Sequence, residues 1–144
     1  MGAGASAQGG PLPPDLVGGE LDVTIRAGRD LVAKDGGMFT KANSDPFVKV
    51  LFGGEEVYKT KTIKKNLNPT WNEKMKHNFS LTKNVLDYDE ERLRRWNPTV
   101  VFAIFDYDFV GSNDPMGEVV VELGSLMDGQ VRCSWSRSRN RSRC

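Results

Sequence analysis

The chain is predicted to be all-β, an antiparallel β-sandwich. Three observations predict it: short segments alternating apolar and polar residues, glycine and Asn/Pro turn signals between them, and no long amphipathic helix. At 144 residues, 38% hydrophobic and 27% charged, the chain has the size and balance of one globular domain.

Residues 1–19 (MGAGASAQGGPLPPDLVGG) carry too few large apolar side chains to offset the entropy of ordering, so a flexible leader is expected. From Glu20 the period becomes two: Leu21, Val23 and Ile25 alternate with Asp22, Thr24 and Arg26, giving a first strand with one buried face. Residues 46–52 (PFVKVLF) form a second, with Val48, Val50 and Phe52 on one face and Phe47, Lys49 and Leu51 on the other, ended by a turn at Gly53 and Gly54. Residues 57–63 (VYKTKTI) alternate again. Residues 66–70 (NLNPT) are turn chemistry, with φ fixed at Pro69 and local side-chain bonding available to Asn66 and Asn68. A fourth strand is expected over 71–81.

Residues 82–98 lead with acids and follow with arginines, which suits a short surface helix whose dipole is complemented. The apolar run 99–105 (TVVFAIF) reads as a sandwich strand, and Val119, Val121 and Leu123 supply another. Beyond Leu123 there is at most a weak strand around Val131 to Trp135, so the C-terminal edge is expected to be incomplete. The folded domain is bounded at 20–128, and 129–144 reads as a disordered basic Ser/Arg tail.

No apolar run approaches the roughly 18–20 residues of a membrane span, and the first thirty residues lack a secretory signal, so a cytoplasmic protein is expected. Cys133 and Cys144 both fall in the tail, which leaves no disulfide framework and fits a reducing compartment. Catalysis is not expected. His77, the single histidine, sits on a lysine-bearing strand as an exposed residue, with no evident serine or cysteine nucleophile and no phosphate-binding glycine motif opening a helix.

Two strand-end loops concentrate acids: residues 35–45 (DGGMFTKANSD) and 106–114 (DYDFVGSND). Asp106 and Asp108, two apart in extended chain, can point to one side, and a turn at Gly111 to Asn113 can bring Asp114 to face them. Carboxylates so gathered repel one another unless a cation intervenes. A hard cation taking six to eight oxygens in flexible geometry is Ca²⁺ rather than Mg²⁺, and the lack of nearby His or Cys argues against zinc. Any one of these aspartates, taken singly, reads more readily as a turn residue than as a ligand, and it is five of them in two strand-end loops that shift the reading. An EF-hand is excluded because Val110 and Gly117 occupy its fifth and twelfth loop positions and strands flank the loop.

Three segments carry a family resemblance. Residues 44–50 (SDPFVKV) resemble the SDPYVKV, residues 68–73 (NPTWNE) the NPxWNE turn, and residues 105–117 the third Ca²⁺ loop of C2 domains, as in conventional protein kinase C and the synaptotagmins. The resemblance implies a Greek-key sandwich over residues 20–128. It implies Asp35 and Asp45 as first-loop ligands, and Asp106, Asp108 and Asp114 as third-loop ligands of a shared cup for two or three Ca²⁺ ions. The implied function is Ca²⁺-dependent targeting to anionic phospholipid, phosphatidylserine or phosphoinositide. A Ca²⁺-independent module binding protein partners is the alternative.

Bound Ca²⁺ would invert the negative potential of the loop end and leave coordination sites for lipid phosphate oxygens. Met38 and Phe39 on the first loop and Phe109 and Val110 on the third read as membrane-inserting residues or as loop-to-loop packing. Residues 59–76 hold six lysines against one glutamate. Of these, Lys59, Lys61, Lys74 and Lys76, with Lys49, form either an anionic-lipid patch or a solvated face that deters aggregation. The patch resembles the phosphoinositide strands of protein kinase C, with Phe47 and Leu51 replacing a tyrosine and a lysine. Residues 1–6 (MGAGAS) fit the N-myristoylation pattern at Gly2. The basic tail alone would give only salt-sensitive, non-specific attraction to nucleic acid, so no specific nucleic-acid partner is expected.

Overall fold

Alternation sets the inner faces of two packed sheets. The computed structural model describes residues 4–7, 18–33, 43–80, 99–126, 133–136 and 141–143. The smaller sheet pairs β2 (Gly18–Ala27) antiparallel with β5 (Thr70–Ser80), from Gly18 opposite Ser80 to Ala27 opposite Thr70, with a register shift between Ile25 and Ala27. Its inner face carries Leu21, Ile25, Trp71 and Met75, all buried.

The larger sheet has strand order β1-β7-β6-β3-β4, built from β1 (Gly4–Ala7), β3 (Pro46–Phe52), β4 (Glu55–Lys59), β6 (Thr99–Asp106) and β7 (Asp114–Glu122). Val48 lies opposite Ile104, Val50 opposite Phe102, and Phe102 opposite Val119, so these inner positions form one apolar surface. Leu21, Ile25, Trp71 and Met75 pack with Val48, Val50 and Val100 to form the core between the sheets. Burying each aliphatic side chain contributes roughly 1.5–3 kcal/mol. Gly53 and Gly54 form the two-residue connection of the β3–β4 hairpin with φ of 56° and 89°. Two successive positive φ values match the twist of the flanking strands, and glycine adopts them without a Cβ clash.

All six strands expected from the alternation are present, with altered ends. The third stops at Lys59, short of Ile63. Beyond it the Thr60 hydroxyl accepts the Val48 N–H at 2.9 Å, and the chain then follows β3 through Thr60 N–H to Val48 C=O and Ile63 N–H to Pro46 C=O. A side chain thus takes over a rung of the ladder and ends the strand. The helix expected over 82–98 lies outside the described residues.

Short strands occur among the described residues of both termini. Residues 4–7 of the expected flexible leader pair parallel with β7, Gly4 opposite Glu118 and Ala7 opposite Val121. A ladder needs only backbone N–H and C=O groups, so small residues can complete an exposed sheet edge without adding core. The tail, expected to be disordered, contains a two-stranded sheet of β8 (Ser134–Ser136) and β9 (Arg141–Arg143). Cys133 is disulfide-bonded. The weak strand expected near Trp135 therefore exists but pairs within the tail, while β2 and β5 form a two-stranded sheet among the described residues. A short helix, α1 (Leu123–Leu126), follows β7. His77 is half-buried, not exposed: its parity on β5 matches Met75, and its ring centroid lies 5.3 Å from that of Phe52.

Candidate functional site

The acid-bearing end of the sandwich is built where β3 begins and β6 stops. Asp106, the last residue of β6, lies opposite Pro46 on one side and Asp114 on the other. It is fully buried. Its Oδ1 accepts the Asp45 N–H at 2.6 Å, and Tyr107 N–H donates to the Asp45 C=O at 3.0 Å, so the two loops are laced together at their bases. Its Oδ2 is buried with no hydrogen-bond partner. A buried carboxylate oxygen without a donor is costly, about 1–3 kcal/mol for a neutral group and more for a charged one. A cation is the usual compensation, and an all-oxygen donor set suits Ca²⁺.

The other aspartates are placed unequally. Asp45, half-buried, accepts the Lys65 N–H on Oδ1 at 2.7 Å. Asp108 N–H donates to the Asn113 Oδ1 at 3.0 Å, folding the third loop over Gly111, whose φ is +100°. Asp114 is exposed. The turn expected at Gly111 to Asn113 is formed, and it brings Asp114 level with Asp106 on adjacent strands. Among the described residues, however, no three Asp, Glu, His or Cys side chains gather closely enough to hold a metal by themselves. Asp45 Oδ1 and Asp106 Oδ1 each accept a backbone N–H instead, and Asp106 Oδ2 has no partner. Asp35, Met38 and Phe39 lie outside the described residues.

The NPTW segment holds the base of the first loop. Gly28 N–H donates to the Pro69 C=O at 2.8 Å, Leu31 N–H to the Leu67 C=O at 2.9 Å, and Asp30 N–H to the Asn68 Oδ1 at 2.9 Å. Asn66 Oδ1 accepts the Asn68 N–H at 2.8 Å, the local bonding expected of this turn. The Trp71 indole N–H donates to the Lys61 C=O at 3.0 Å. Sequence reasoning missed Glu73, which accepts the Tyr58 hydroxyl at 2.7 Å and the Lys61 N–H at 3.0 Å and so fixes β4 to β5. That bond raises the Tyr58 pKa, with burial and the Glu73 charge adding to it. An acid alternating onto an inner face was the available signal.

A family model for the C2 domain matches residues 19–138. The chain belongs to the C2 family. This C2 domain is 38% identical over 107 residues to human multiple C2 and transmembrane domain-containing protein 1, covering 74% of the chain but 9% of that relative. It is 34% identical over 118 residues to human synaptotagmin-7, covering 80% of the chain and 26% of that relative. It therefore spans only a small part of the curated relatives it matches. Among solved structures, the calcium-bound tandem C2 domains of extended-synaptotagmin 2 give a TM-score of 0.64 at 21% identity over 83% of this chain and 40% of theirs, a likeness of fold. A single C2 domain of plant extended synaptotagmin 1 gives 0.52 at 29% identity over 73% and 69%.

In this C2 domain the five lysines grouped from sequence do not share a face. Lys49 and Lys59 are cross-strand partners on the outer side of the larger sheet. There Lys59 Nζ lies 4.5 Å from the ring centroid of the buried Phe47, and Lys49 is 3.0 Å from Glu56. Lys74 and Lys76 instead alternate with buried Met75 and point outward from the smaller sheet, where Lys76 contacts Glu20 at 2.6 Å and Asp22 at 3.7 Å. Pairing with Glu20 raises the Lys76 pKa. Lys61 follows β4 and is exposed. At the loop end Phe109 and Val110 are 91% and 84% exposed. No helix among the described residues is long and apolar enough to cross a membrane.

Proposed function

We propose that this C2 domain is a binding module, not an enzyme, that attaches to anionic phospholipid when Ca²⁺ occupies its loop end. The observation carrying this reading is the buried, partnerless Asp106 Oδ2, adjacent to Asp45 and Asp114 and next to a loop whose tip exposes Phe109 and Val110. Asp45, Asp106, Asp108 and Asp114 would hold the ions, with Asp35 completing the set from the first loop. The ions supply positive charge and open coordination positions for phosphate oxygens. The protein's own part is to fix the loop bases, present the carboxylates and expose an apolar tip.

The lysine contribution is assigned to Lys49, Lys59 and Lys61, because Lys74 and Lys76 face outward from the other sheet. Phe109 and Val110 would enter the lipid, with Met38 and Phe39 as first-loop counterparts. Acylation of Gly2 would add a weak second anchor, since one such chain binds membranes only marginally. On this reading the domain would act as a peripheral membrane protein.

Sedimentation with phosphatidylserine vesicles tests the reading. Pelleting is expected with Ca²⁺ and not with chelator, and is lost in Asp106→Asn/Asp108→Asn. Equal pelleting under both conditions would instead favour the Ca²⁺-independent protein-binding module.

A further inference from the structure

Three polar groups of Asp45 are hydrogen-bonded. Its N–H donates to Asp106 Oδ1 at 2.6 Å, its C=O accepts the Tyr107 N–H at 3.0 Å, and its Oδ1 accepts the Lys65 N–H at 2.7 Å. The first two bonds tie its backbone to the end of β6. The third fixes its side chain, and the donor belongs to neither acid-bearing loop. It comes from the connection between β4 and β5.

That connection is laid against the start of β3. Ile63 N–H donates to the Pro46 C=O and Asn66 N–H to the Ser44 C=O, both at 3.0 Å, one on either side of the Lys65 bond. Residues 64 and 65 make the turn between these two anchors. Lys65 has a φ of 52°, in the left-handed region. Turn positions that need a positive φ are ordinarily filled by glycine or asparagine, and a lysine held there carries strain that the surrounding bonds must offset. With both anchors in place, a negative φ at Lys65 would rotate the peptide plane between residues 64 and 65. The Lys65 N–H would then leave Asp45.

We propose that Lys65 is a positioning residue of the ion site. Its left-handed backbone aims the N–H that holds Asp45 Oδ1, and this leaves Oδ2 as the Asp45 oxygen available to an ion, together with the buried Asp106 Oδ2 that has no donor. The inference rests on the Ca²⁺ reading above. Its own content is that the backbone of Lys65 acts, and not its ammonium group.

Measurements on the full chain test it. Amide hydrogen exchange is read first, in chelator, at residues 63, 65 and 66. Asp45→Ala is expected to speed exchange at residue 65 by at least about tenfold and to leave residues 63 and 66, which donate to backbone carbonyls, within about threefold. Binding of Ca²⁺ alone is then measured by calorimetry in Lys65→Gly and Lys65→Val. Both variants remove the ammonium, so the difference between them reads the backbone. Glycine adopts a positive φ freely and a β-branched residue does not, so the Kd of Lys65→Val is expected to be at least about fivefold above that of Lys65→Gly, because only the competent fraction binds. Melting in chelator checks that both variants fold, and Lys65→Ala, a milder change of the same sign, replaces Lys65→Val if that variant does not. The inference is overturned if residue 65 exchanges as fast in the native chain as in Asp45→Ala, or if the two Lys65 variants bind Ca²⁺ equally. A native chain that binds no Ca²⁺ overturns the proposed function and the role of Lys65 with it, whereas native binding with equal variants overturns this inference alone.

Discussion

Asp45 donates its backbone N–H to Asp106 Oδ1 at 2.6 Å, while Asp106 Oδ2, equally buried, receives nothing. One oxygen ties the first strand-end loop to the third and the other has no donor, which is where the proposed ion would bind. Calcium should therefore stabilise the fold, because a ligand that binds only the native state adds about 2.7 kcal/mol at one hundred times its Kd. Thermal unfolding is expected to shift upward on adding Ca²⁺ to the native chain and not to shift in Asp106→Asn. A Ca²⁺ shift that persists in the variant would remove Asp106 from the site.

Phe109 and Val110 are so exposed that their removal leaves folding almost untouched, within about 0.5 kcal/mol. Replacing both by serine is expected to weaken Ca²⁺-dependent vesicle binding and to make the binding that remains strongly salt-sensitive, since only the electrostatic part survives. Unfolding midpoints and sedimentation across a salt series measure the two effects separately. A loss of stability equal to that of a core substitution would show that these side chains pack between loops.

The strands were legible because alternation is a local signal: Leu21, Val23 and Ile25 announce their face without reference to anything distant. The loop bases were legible through turn chemistry at Asn66, Asn68 and Pro69. Less legible was which sheet a residue serves. Lys59 and Lys74 fall in one lysine-rich stretch, residues 59–76, but belong to strands of opposite layers, so shared charge along the chain does not mean a shared face. Pairing by backbone alone, as at Gly4 to Ala7, leaves no trace in hydropathy. Nor could spacing reveal that Asp106 keeps one oxygen for Asp45 and strands the other.

The division of lysines gives a direct comparison. Each lysine close to an anionic bilayer is worth about 1 kcal/mol, roughly fivefold in affinity. Lys59→Ala is expected to weaken binding to phosphatidylserine vesicles by about that factor, whereas Lys76→Ala, already paired with Glu20 and Asp22 on the other layer, should leave it nearly unchanged. Equal losses in the two variants would restore a single patch.

Tyr58 and Glu73 offer a test of the sandwich itself, with a defined sign in pH. The Tyr58 hydroxyl donates to Glu73 Oε2 at 2.7 Å, and this bond holds its pKa above the usual 10.0. A group whose folded pKa is raised contributes fully below its unfolded pKa and loses that contribution as pH climbs through the folded value. Tyr58→Phe is therefore expected to cost about 0.5–1.5 kcal/mol at neutral pH, the range for one hydrogen bond, and progressively less above pH of about 10. Denaturant unfolding of both proteins across that range measures it. Glu73→Gln should lower the Tyr58 pKa toward its usual value in an ultraviolet titration, because both the acceptor charge and its preference for the protonated phenol are weakened. A cost in Tyr58→Phe that stays constant through the alkaline range would mean that packing of the ring, and not its hydroxyl, joins β4 to β5.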